Sequence, residues 1–121
     1  MDEYREDYFR TLAKEIRNIV KEEKLYKDNH LSLDDIANQL NTSRYYVSYA
    51  VNKYLGKSFS TFVNELRIEE ARRIMENGTQ DRGVEGVARD SGFSDRTNFF
   101  RVCRRLTGLR PSDLRPDNKN N

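Results

Sequence analysis

The second half of the sequence repeats a pattern present in the first half, and this repeat limits the folds open to the chain. Equivalent residues are 51 positions apart up to a tight turn and 52 apart beyond it, so the second turn is one residue longer. The matched pairs are Ala37 with Ala88, Asn41 with Gly92, Val47 with Phe99, Val51 with Cys103, and Gly56 with Gly108. Each copy therefore predicts a short helix, a tight turn, a second helix and a glycine that ends it.

This order of elements is the pattern of a helix-turn-helix, in which two short helices cross at a steep angle. The crossing needs a small side chain where the helices touch, and Ala37 and Ala88 stand there. The tight turn favours residues that tolerate a positive φ, which Asn41 and Gly92 do. One such pattern is weak evidence because any helical hairpin approximates it, but two copies in register are much stronger.

The rest of the chain also has helical periodicity. Residues 3–28 predict one helix with an apolar stripe, and residues 59–76 predict a helix that joins the two repeats. No segment alternates with a period of two, so we expect an all-α fold of about seven helices, with two helix-turn-helix subdomains joined by one linking helix. The expected organisation is an N-terminal connector or helix extension (1–15), a first helix-turn-helix subdomain (16–57), a linking helix (58–77), a second helix-turn-helix subdomain (78–115) and a flexible tail (116–121).

The composition excludes several classes of protein. Charged residues make up 35% of the chain, and the longest apolar runs are two or three residues, so we expect no membrane-spanning helix. The acidic start lacks the apolar core of a signal peptide, and a single cysteine cannot form an internal disulfide, so we expect a cytoplasmic protein. His30 has no partner His or Cys, and we expect no metal, no cofactor and no enzymatic activity.

The second helix of each repeat has an outward face that is a candidate binding surface. In the first repeat that face is rich in hydroxyl groups, and its candidate residues are Arg44, Tyr45, Ser48, Tyr49 and Asn52. In the second repeat it is cationic, and its candidate residues are Arg96, Thr97, Asn98, Arg101, Arg104 and Arg105. Residues 78–121 hold nine Lys or Arg against six Asp or Glu, so the positive excess of the chain lies here. Arginine suits contact with nucleic acid because its planar fork can grip a guanine edge or a phosphate.

The sequence resembles the DNA-binding domain of the AraC/XylS family of bacterial transcription regulators. The resemblance runs from about Ile16 to Arg115 and is carried by LSLDDIANQLNTSRYYVS, GKSFSTFVNELRIEEARRIM and GVARDSGFSDRTNFFRVCRRLTGLRPSDLR. It implies a seven-helix, two-lobed fold, a double-stranded promoter DNA partner and, in activators, contacts with RNA polymerase. The function it implies is a sequence-specific transcription regulator, expected to be an activator, that inserts two recognition helices into successive major-groove segments.

The resemblance also implies roles for individual residues. Family members place base and phosphate contacts on the positions of Tyr45, Ser48, Tyr49 and Asn52, and of Arg96, Thr97, Asn98 and Arg101. We expect Arg96 and Arg101 in the groove, and Arg104 and Arg105 at the DNA backbone or in solvent. Three residues depart from the family pattern: Tyr49 replaces a common basic residue, Phe100 a small polar one, and Cys103 a phenylalanine. Because Phe100 and Cys103 are one turn apart, we hypothesise that the Phe100 ring fills the space that the cysteine leaves.

Several alternatives stay open from the sequence. The arginines could form a solvated face, and the fold could serve as a helical protein-interaction module that no longer binds DNA. The start of the first helix could cap the first lobe, continue from an upstream sensor domain, or contact a dimer partner. The chain is expected to be either a stand-alone regulator or a DNA-binding fragment of a longer one.

A few side chains are expected to have structural roles only. Cys103 lies on the apolar stripe, so it is expected to pack as a small hydrophobic residue and not to act as a redox sensor. Tyr46 is expected in the core, and Arg67 is expected to be partly buried without contacting DNA. Glu69 and Arg73, four residues apart on one helix, are expected to form a surface ion pair.

Overall fold

The chain is entirely helical in the part that the computed structural model describes, residues 2–78 and 82–114. The all-α prediction is confirmed, and the predicted number of seven helices is close to the six α-helices found there. The α-helices are α1 (Asp2–Glu22), α2 (Leu33–Gln39), α3 (Arg44–Ala50), α4 (Phe59–Glu76), α5 (Gly83–Ser91) and α6 (Arg96–Thr107). Two 3-10 segments (Leu25–Lys27 and Pro111–Leu114) and one π segment (Val51–Leu55) complete the order. The predicted tail, residues 116–121, lies outside the described residues.

The chain divides into two compact units by its internal contacts. The first unit comprises the residues up to Leu25 together with His30–Val63, and the second comprises Tyr26–Asn29 together with the residues from Asn64 onward. The division falls within α4, so this helix contributes its first turn to one unit and the rest to the other. The functional boundaries expected at residues 57 and 77 stay a prediction.

The first unit is built from α1, α2, α3 and the start of α4. The apolar stripe of α1 is buried as predicted at Phe9, Leu12, Ala13, Ile16 and Val20. A capping box fixes the start of α2: the Ser32 hydroxyl accepts from the Asp35 amide at 3.2 Å, and the Asp35 carboxylate accepts from the Ser32 amide at 2.9 Å. Asn41 adopts a φ of 60° in the turn before α3, as the repeat pattern predicts.

The second helix of the first repeat changes its winding part of the way along. Ser43 caps α3, because its hydroxyl accepts from the Tyr46 amide at 3.2 Å. The helix then continues as the π segment Val51–Leu55 and ends at Gly56, which has a φ of 73°. The second helix of the first repeat therefore extends from residue 44 to residue 55, and its last five residues have a wider winding than an α-helix.

The helix expected over residues 3–28 is shorter than predicted. Helix α1 ends at Glu22, and Lys24 adopts a left-handed φ of 58° that no α-helix can contain. The chain then turns so that Tyr26 is buried in the second unit, where its hydroxyl donates to Glu70 at 3.1 Å. The helical periodicity of residues 23–28 is therefore overridden by long-range contacts, and residues 26–29 do not continue α1.

The second unit surrounds the rest of α4 with α5, α6 and the segment Tyr26–Asn29. Its hydrophobic core consists of Ile68, Ala71, Ile74, Met75, Val87, Ala88, Phe93, Phe99, Val102, Cys103 and Leu114. Gly92 ends α5 with a φ of 110°, and Gly108 ends α6 with a φ of 76°, so both glycines are at the expected stops. After α6 the 3-10 segment Pro111–Leu114 packs on this core through Leu114.

Charged side chains of α4 hold the Tyr26–Asn29 segment in place. Arg67 is buried as expected; its Nε donates to the Tyr26 carbonyl at 2.7 Å and its guanidinium also donates to the Asp28 carbonyl at 2.8 Å. The buried Glu70 carboxylate accepts from the Tyr26 hydroxyl and lies 3.2 Å from the Lys27 ammonium. These contacts supply partners for two charges that would otherwise be costly to bury.

The expected ion pair between Glu69 and Arg73 is wrong. Arg73 is paired with Glu70, three residues before it, and Glu69 is paired with Arg72 at 2.6 Å. The reason is that Glu70 is fixed in a buried site beside Tyr26 and Lys27, and it draws the Arg73 guanidinium to it. The Arg73 hydrogen bond is the main cause that lowers the pKa of Glu70 to about 2.

Within residues 2–78 and 82–114, no helix is long and apolar enough to cross a membrane. The same residues contain no cluster of three or more His, Cys, Asp or Glu side chains arranged to hold a metal ion.

Candidate nucleic-acid interface

The start of α6 is fixed by local contacts within the second unit. The Asp95 carboxylate accepts from the Asn98 amide at 2.8 Å, which makes Asp95 the N-cap. The preceding turn is held by Phe93, whose amide donates to the Ala88 carbonyl at 2.9 Å and whose ring stacks on Phe99 with centroids 4.8 Å apart. The first turn of α6 therefore has a defined direction relative to α5, as a helix-turn-helix requires.

The two faces of α6 differ in the way that the periodicity predicts. Phe99, Val102 and Cys103 are buried against α4 and α5, with Leu106 partly buried beside them. The candidate residues on the other face are exposed at Arg96, Thr97, Arg101, Arg104 and Arg105, and partly buried at Asn98. The Asn98 side-chain oxygen accepts from the Ser94 amide at 3.4 Å, so Asn98 also braces the start of the helix.

Three of the four arginines on α6 have no partner within the described part of the chain. Arg96, Arg101 and Arg105 make no hydrogen bond or ion pair with any described residue, whereas Arg104 donates to the Gly108 carbonyl at 3.2 Å. Most other arginines that the structure describes are engaged, for example Arg82 with Asp90 at 3.1 Å. Three guanidinium groups on one helix, none paired with a described residue, give this surface a positive potential that an anionic ligand would neutralise.

Phe100 lies on the exposed side of α6, which contradicts the hypothesis that its ring fills the core beside Cys103. Its side chain is 46% exposed, and it lines a shallow open depression together with Arg96, Thr97 and Arg101. Cys103 is fully buried, and this burial is the main cause that raises the pKa of its thiol. The two residues are one turn apart, but the buried stripe passes through 99, 102 and 103 and leaves 100 at its edge, on the solvent side.

The outward face of α3, in the first unit, is less uniform in exposure and charge than the outward face of α6. Tyr45 is 77% exposed and makes no hydrogen bond with a described residue. Ser48 is partly buried, and the Asn52 amide donates to the Ser48 carbonyl at 2.9 Å, within the helix. Arg44 lies 3.6 Å from Asp34 in an exposed ion pair, which is weak and easily exchanged for another anion.

Tyr49 contacts the first helix, a feature that sequence reasoning missed. Its hydroxyl donates to the Glu6 carboxylate at 3.1 Å, and its ring meets Phe9 edge-on with centroids 4.6 Å apart. Glu6 also accepts from the Tyr54 hydroxyl and is 3.0 Å from the Lys53 ammonium. With the Tyr54 bond as the largest cause, these contacts lower the pKa of Glu6 to about 2, and the Tyr49 and Glu6 bonds raise the pKa of Lys53 to about 12.

Tyr46 is not in the core, contrary to expectation. It is 45% exposed and meets Tyr8 and Phe9 edge-on, with ring centroids 6.0 and 5.1 Å away. The reason is that α1 packs beside the start of α3 and gives Tyr46 a partner at the surface. The same contact places the Tyr8 hydroxyl 3.0 Å from that of Thr42 in the preceding turn. The N-terminal half of α1 therefore packs directly on the first repeat.

Comparison with known proteins identifies the family of the chain. Residues 36–117 match a family model described as a helix-turn-helix domain, which covers more than half of the chain. The chain is 34% identical over 94 residues to the regulatory protein PocR of Salmonella typhimurium. That match covers 74% of this chain and 30% of PocR, so the chain spans less than a third of the relative's length.

Two solved structures share the fold. The C-terminal domain of AraT, a response regulator from Geobacillus stearothermophilus, aligns with a TM-score of 0.78 at 22% identity over 88% of this chain and 84% of that one. A transcriptional regulator of the AraC-type DNA-binding domain-containing proteins, from Chromobacterium violaceum, aligns with a TM-score of 0.66 at 24% identity over 85% of this chain and 93% of that one. At these identities the likeness is evidence of the fold alone.

Proposed function

This chain belongs to the AraC-type helix-turn-helix family of DNA-binding transcription regulators, and we propose that it reads promoter DNA with α6 and α3 as recognition helices. Each helix enters the major groove, and the two occupy successive groove segments of one duplex. The observation that carries this proposal is the exposed face of α6, where Arg96, Arg101 and Arg105 have no partner among the described residues.

The arginines of α6 have different proposed contacts according to their position along the helix. Arg96 and Arg101 lie in its first half, which is the part of a recognition helix that reaches base edges. A guanidinium there can bind guanine O6 and N7 with two hydrogen bonds. Arg104 and Arg105 lie in the last turn and are placed to meet phosphates, which adds affinity without sequence preference. Thr97 and Asn98 complete this candidate surface at the start of the helix.

The first recognition helix contributes mainly uncharged contacts. Tyr45 is the most exposed side chain on α3, and with Ser48 and Asn52 it offers a ring, a hydroxyl and an amide to thymine methyls and base edges. Arg44 can exchange its exposed pair with Asp34 for a phosphate. Tyr49 joins this surface through the part of its ring that Phe9 and Glu6 leave exposed.

The wider role of the chain follows from its family. We propose that it acts in the cytoplasm, activates transcription through contact with RNA polymerase, and needs no cofactor, metal or catalytic activity. Residues 1–15 are proposed to connect to a sensor domain or a dimer partner. Support for the connection comes from α1, whose start contacts α3 through Glu6 and the turn before α3 through Tyr8, so a displacement of this helix would be transmitted to the first recognition helix.

Binding to DNA selected from a random duplex pool tests the proposal. The dissociation constant of the selected duplex should be measured by fluorescence anisotropy across salt concentrations, for the wild type and for Arg101→Ala. Arg89→Ala is the matched control because Arg89 is also exposed, lies on α5 and has only a weak pair with Glu85 at 3.7 Å. Arg101→Ala should cost about 1–3 kcal/mol on the selected site and relax the sequence preference at one position.

Arg105→Ala should behave differently from Arg101→Ala. Loss of a phosphate contact weakens binding to all sequences alike and lowers the slope of log affinity against log salt by about one. Affinity that neither falls with salt nor responds to Arg101→Ala would refute the proposed interface. In that case the fold would be serving as a protein-interaction module.

A further inference from the structure

Phe100 is a large apolar side chain on a helix whose core contacts are complete without it. Phe99, Val102 and Cys103 are each at most 2% exposed, whereas Phe100 is 46% exposed. With nearly half of its surface exposed, Phe100 adds little to the packing of α6. Its position in the sequence is therefore best explained by something that it contacts outside the chain.

The surroundings of Phe100 identify the chemistry of that contact. Arg96, Thr97, Phe100 and Arg101 are the first, second, fifth and sixth residues of α6, and together they line one shallow depression. Neither arginine has a partner among the described residues. An apolar protein partner would have to strip water from both cations to reach the ring, and nothing on such a partner would compensate for that cost. A polyanion with an apolar group in a polar groove satisfies both the cations and the ring.

Duplex DNA offers one such apolar group. In the major groove the four base pairs present hydrogen-bond donors and acceptors, and only thymine adds a methyl group. From this, and resting on the proposed use of α6 as a recognition helix, we infer that Phe100 is a specificity-determining residue that packs on the 5-methyl group of a thymine. The arginines on either side hold neighbouring bases or phosphates, so the ring meets the methyl group at a fixed register.

Removing one methyl group from DNA tests this inference without changing any hydrogen bond. Each thymine of the selected duplex is replaced in turn by deoxyuridine, which lacks only that methyl. Dissociation constants are measured for the wild type, Phe100→Ala and Leu109→Ala. Leu109 is the matched control because it is an exposed apolar residue of the same unit, beyond the end of α6. Thermal melting monitored by circular dichroism checks that the exposed substitutions leave the fold intact.

The losses of affinity caused by removing the thymine methyl group and by removing the Phe100 ring are expected to be non-additive. One thymine-to-deoxyuridine change should weaken wild-type binding about fourfold, which is the effect expected from burying one methyl or methylene group. Phe100→Ala should bind the unmodified duplex more weakly, by at least the same factor, and should lose nothing further at that thymine. Leu109→Ala should keep the wild-type response. A selection repeated with Phe100→Ala should no longer prefer thymine at that position.

Two outcomes would overturn the inference. One is a wild type that is indifferent to deoxyuridine at every thymine, and the other is a Phe100→Ala variant that keeps the full methyl effect. If binding still falls with salt and with Arg101→Ala in either case, the proposed function stands and only the role of Phe100 fails. A wild type that selects no duplex at all would overturn both.

Discussion

Replacing Gly92 with alanine should destabilise the second unit severely, because the turn before α6 lies directly against the segment that follows α1. A β-carbon at residue 92 would overlap the Tyr26 carbonyl oxygen and would lie 2.9 Å from the Lys27 α-carbon and 3.0 Å from the Arg67 Nε. The first two of these are backbone atoms, which cannot rotate away. The backbone at Gly92 also has a φ of 110°, which L-residues rarely adopt.

The size of the effect follows from two separate terms. Forcing an alanine into a left-handed backbone costs about 1–2 kcal/mol. Relieving the overlap requires the Tyr26 carbonyl to move, and that carbonyl accepts from Arg67 at 2.7 Å. Loss of a buried hydrogen bond to a charged group costs about 1.5–3 kcal/mol. We therefore expect Gly92→Ala to lower the free energy of unfolding by about 3–5 kcal/mol.

Gly56→Ala is the matched control. Gly56 has a φ of 73° at the end of the π segment, and nothing lies within 4 Å of the β-carbon that alanine would add there. Only the backbone term applies, so we expect a loss of about 1–2 kcal/mol. The comparison separates the strain of the left-handed backbone, which both variants share, from the close approach of Tyr26 and Lys27, which only the Gly92 variant has.

Urea unfolding monitored by far-ultraviolet circular dichroism measures both variants against the wild type. The reasoning is refuted if Gly92→Ala loses no more than Gly56→Ala, because the turn would then be free to move away from the Tyr26 carbonyl. It is also refuted if deletion of the Arg67 hydrogen bonds by Arg67→Met leaves the effect of Gly92→Ala unchanged, since the second term would then have another origin. Coupling between the two substitutions is expected because they act on the same carbonyl.

Two further predictions concern a buried carboxylate in the second unit and a helix cap in the first unit. The pKa of Glu70 is lowered from 4.5 to about 2, so its carboxylate stabilises the fold above pH 4.5 and loses this effect as the pH falls towards 2. The melting temperature of the wild type should therefore drop more steeply over that range than that of Glu70→Gln, and parallel profiles would contradict the prediction. In the first unit, Ser43→Ala should lower the free energy of unfolding by about 1 kcal/mol in urea titrations, because the Tyr46 amide loses its cap. Ser43→Asp should retain most of the stability, and an equal loss in both variants would show that the hydroxyl is not acting as a cap.

The features that local sequence could predict are those that depend on neighbouring residues alone. Ser32 and Ser43 cap their helices, and Gly56 and Gly108 end theirs, because each of these roles involves atoms within a few positions along the chain. The buried and exposed faces of α6 were predictable for the same reason, since a helix repeats its faces every three to four residues.

The features that sequence reasoning missed depend on contacts between distant residues. Tyr26 leaves the predicted first helix because Arg67 and Glu70, more than forty positions away, bind its carbonyl and hydroxyl. Tyr49 turns towards Glu6, which is 43 positions away and has no spacing that marks it as a partner. On α6 the expectation that is wrong is the position of Phe100, because its one-turn spacing from Cys103 does not bring the ring inside the buried stripe. The DNA contacts expected of the other candidate residues on this helix stay a prediction.

Residues 26–29 belong to the second unit although the residues on both sides of them belong to the first. The two repeats look separable along the gene, yet a fragment that starts at Asn64 would leave the Arg67 guanidinium and the Glu70 carboxylate without these partners. An exchange of the second repeat between two regulators would have to carry this short peptide with it, or meet an equivalent in the recipient. The second unit of this protein is therefore discontinuous in sequence, and its second repeat is complete only together with residues 26–29.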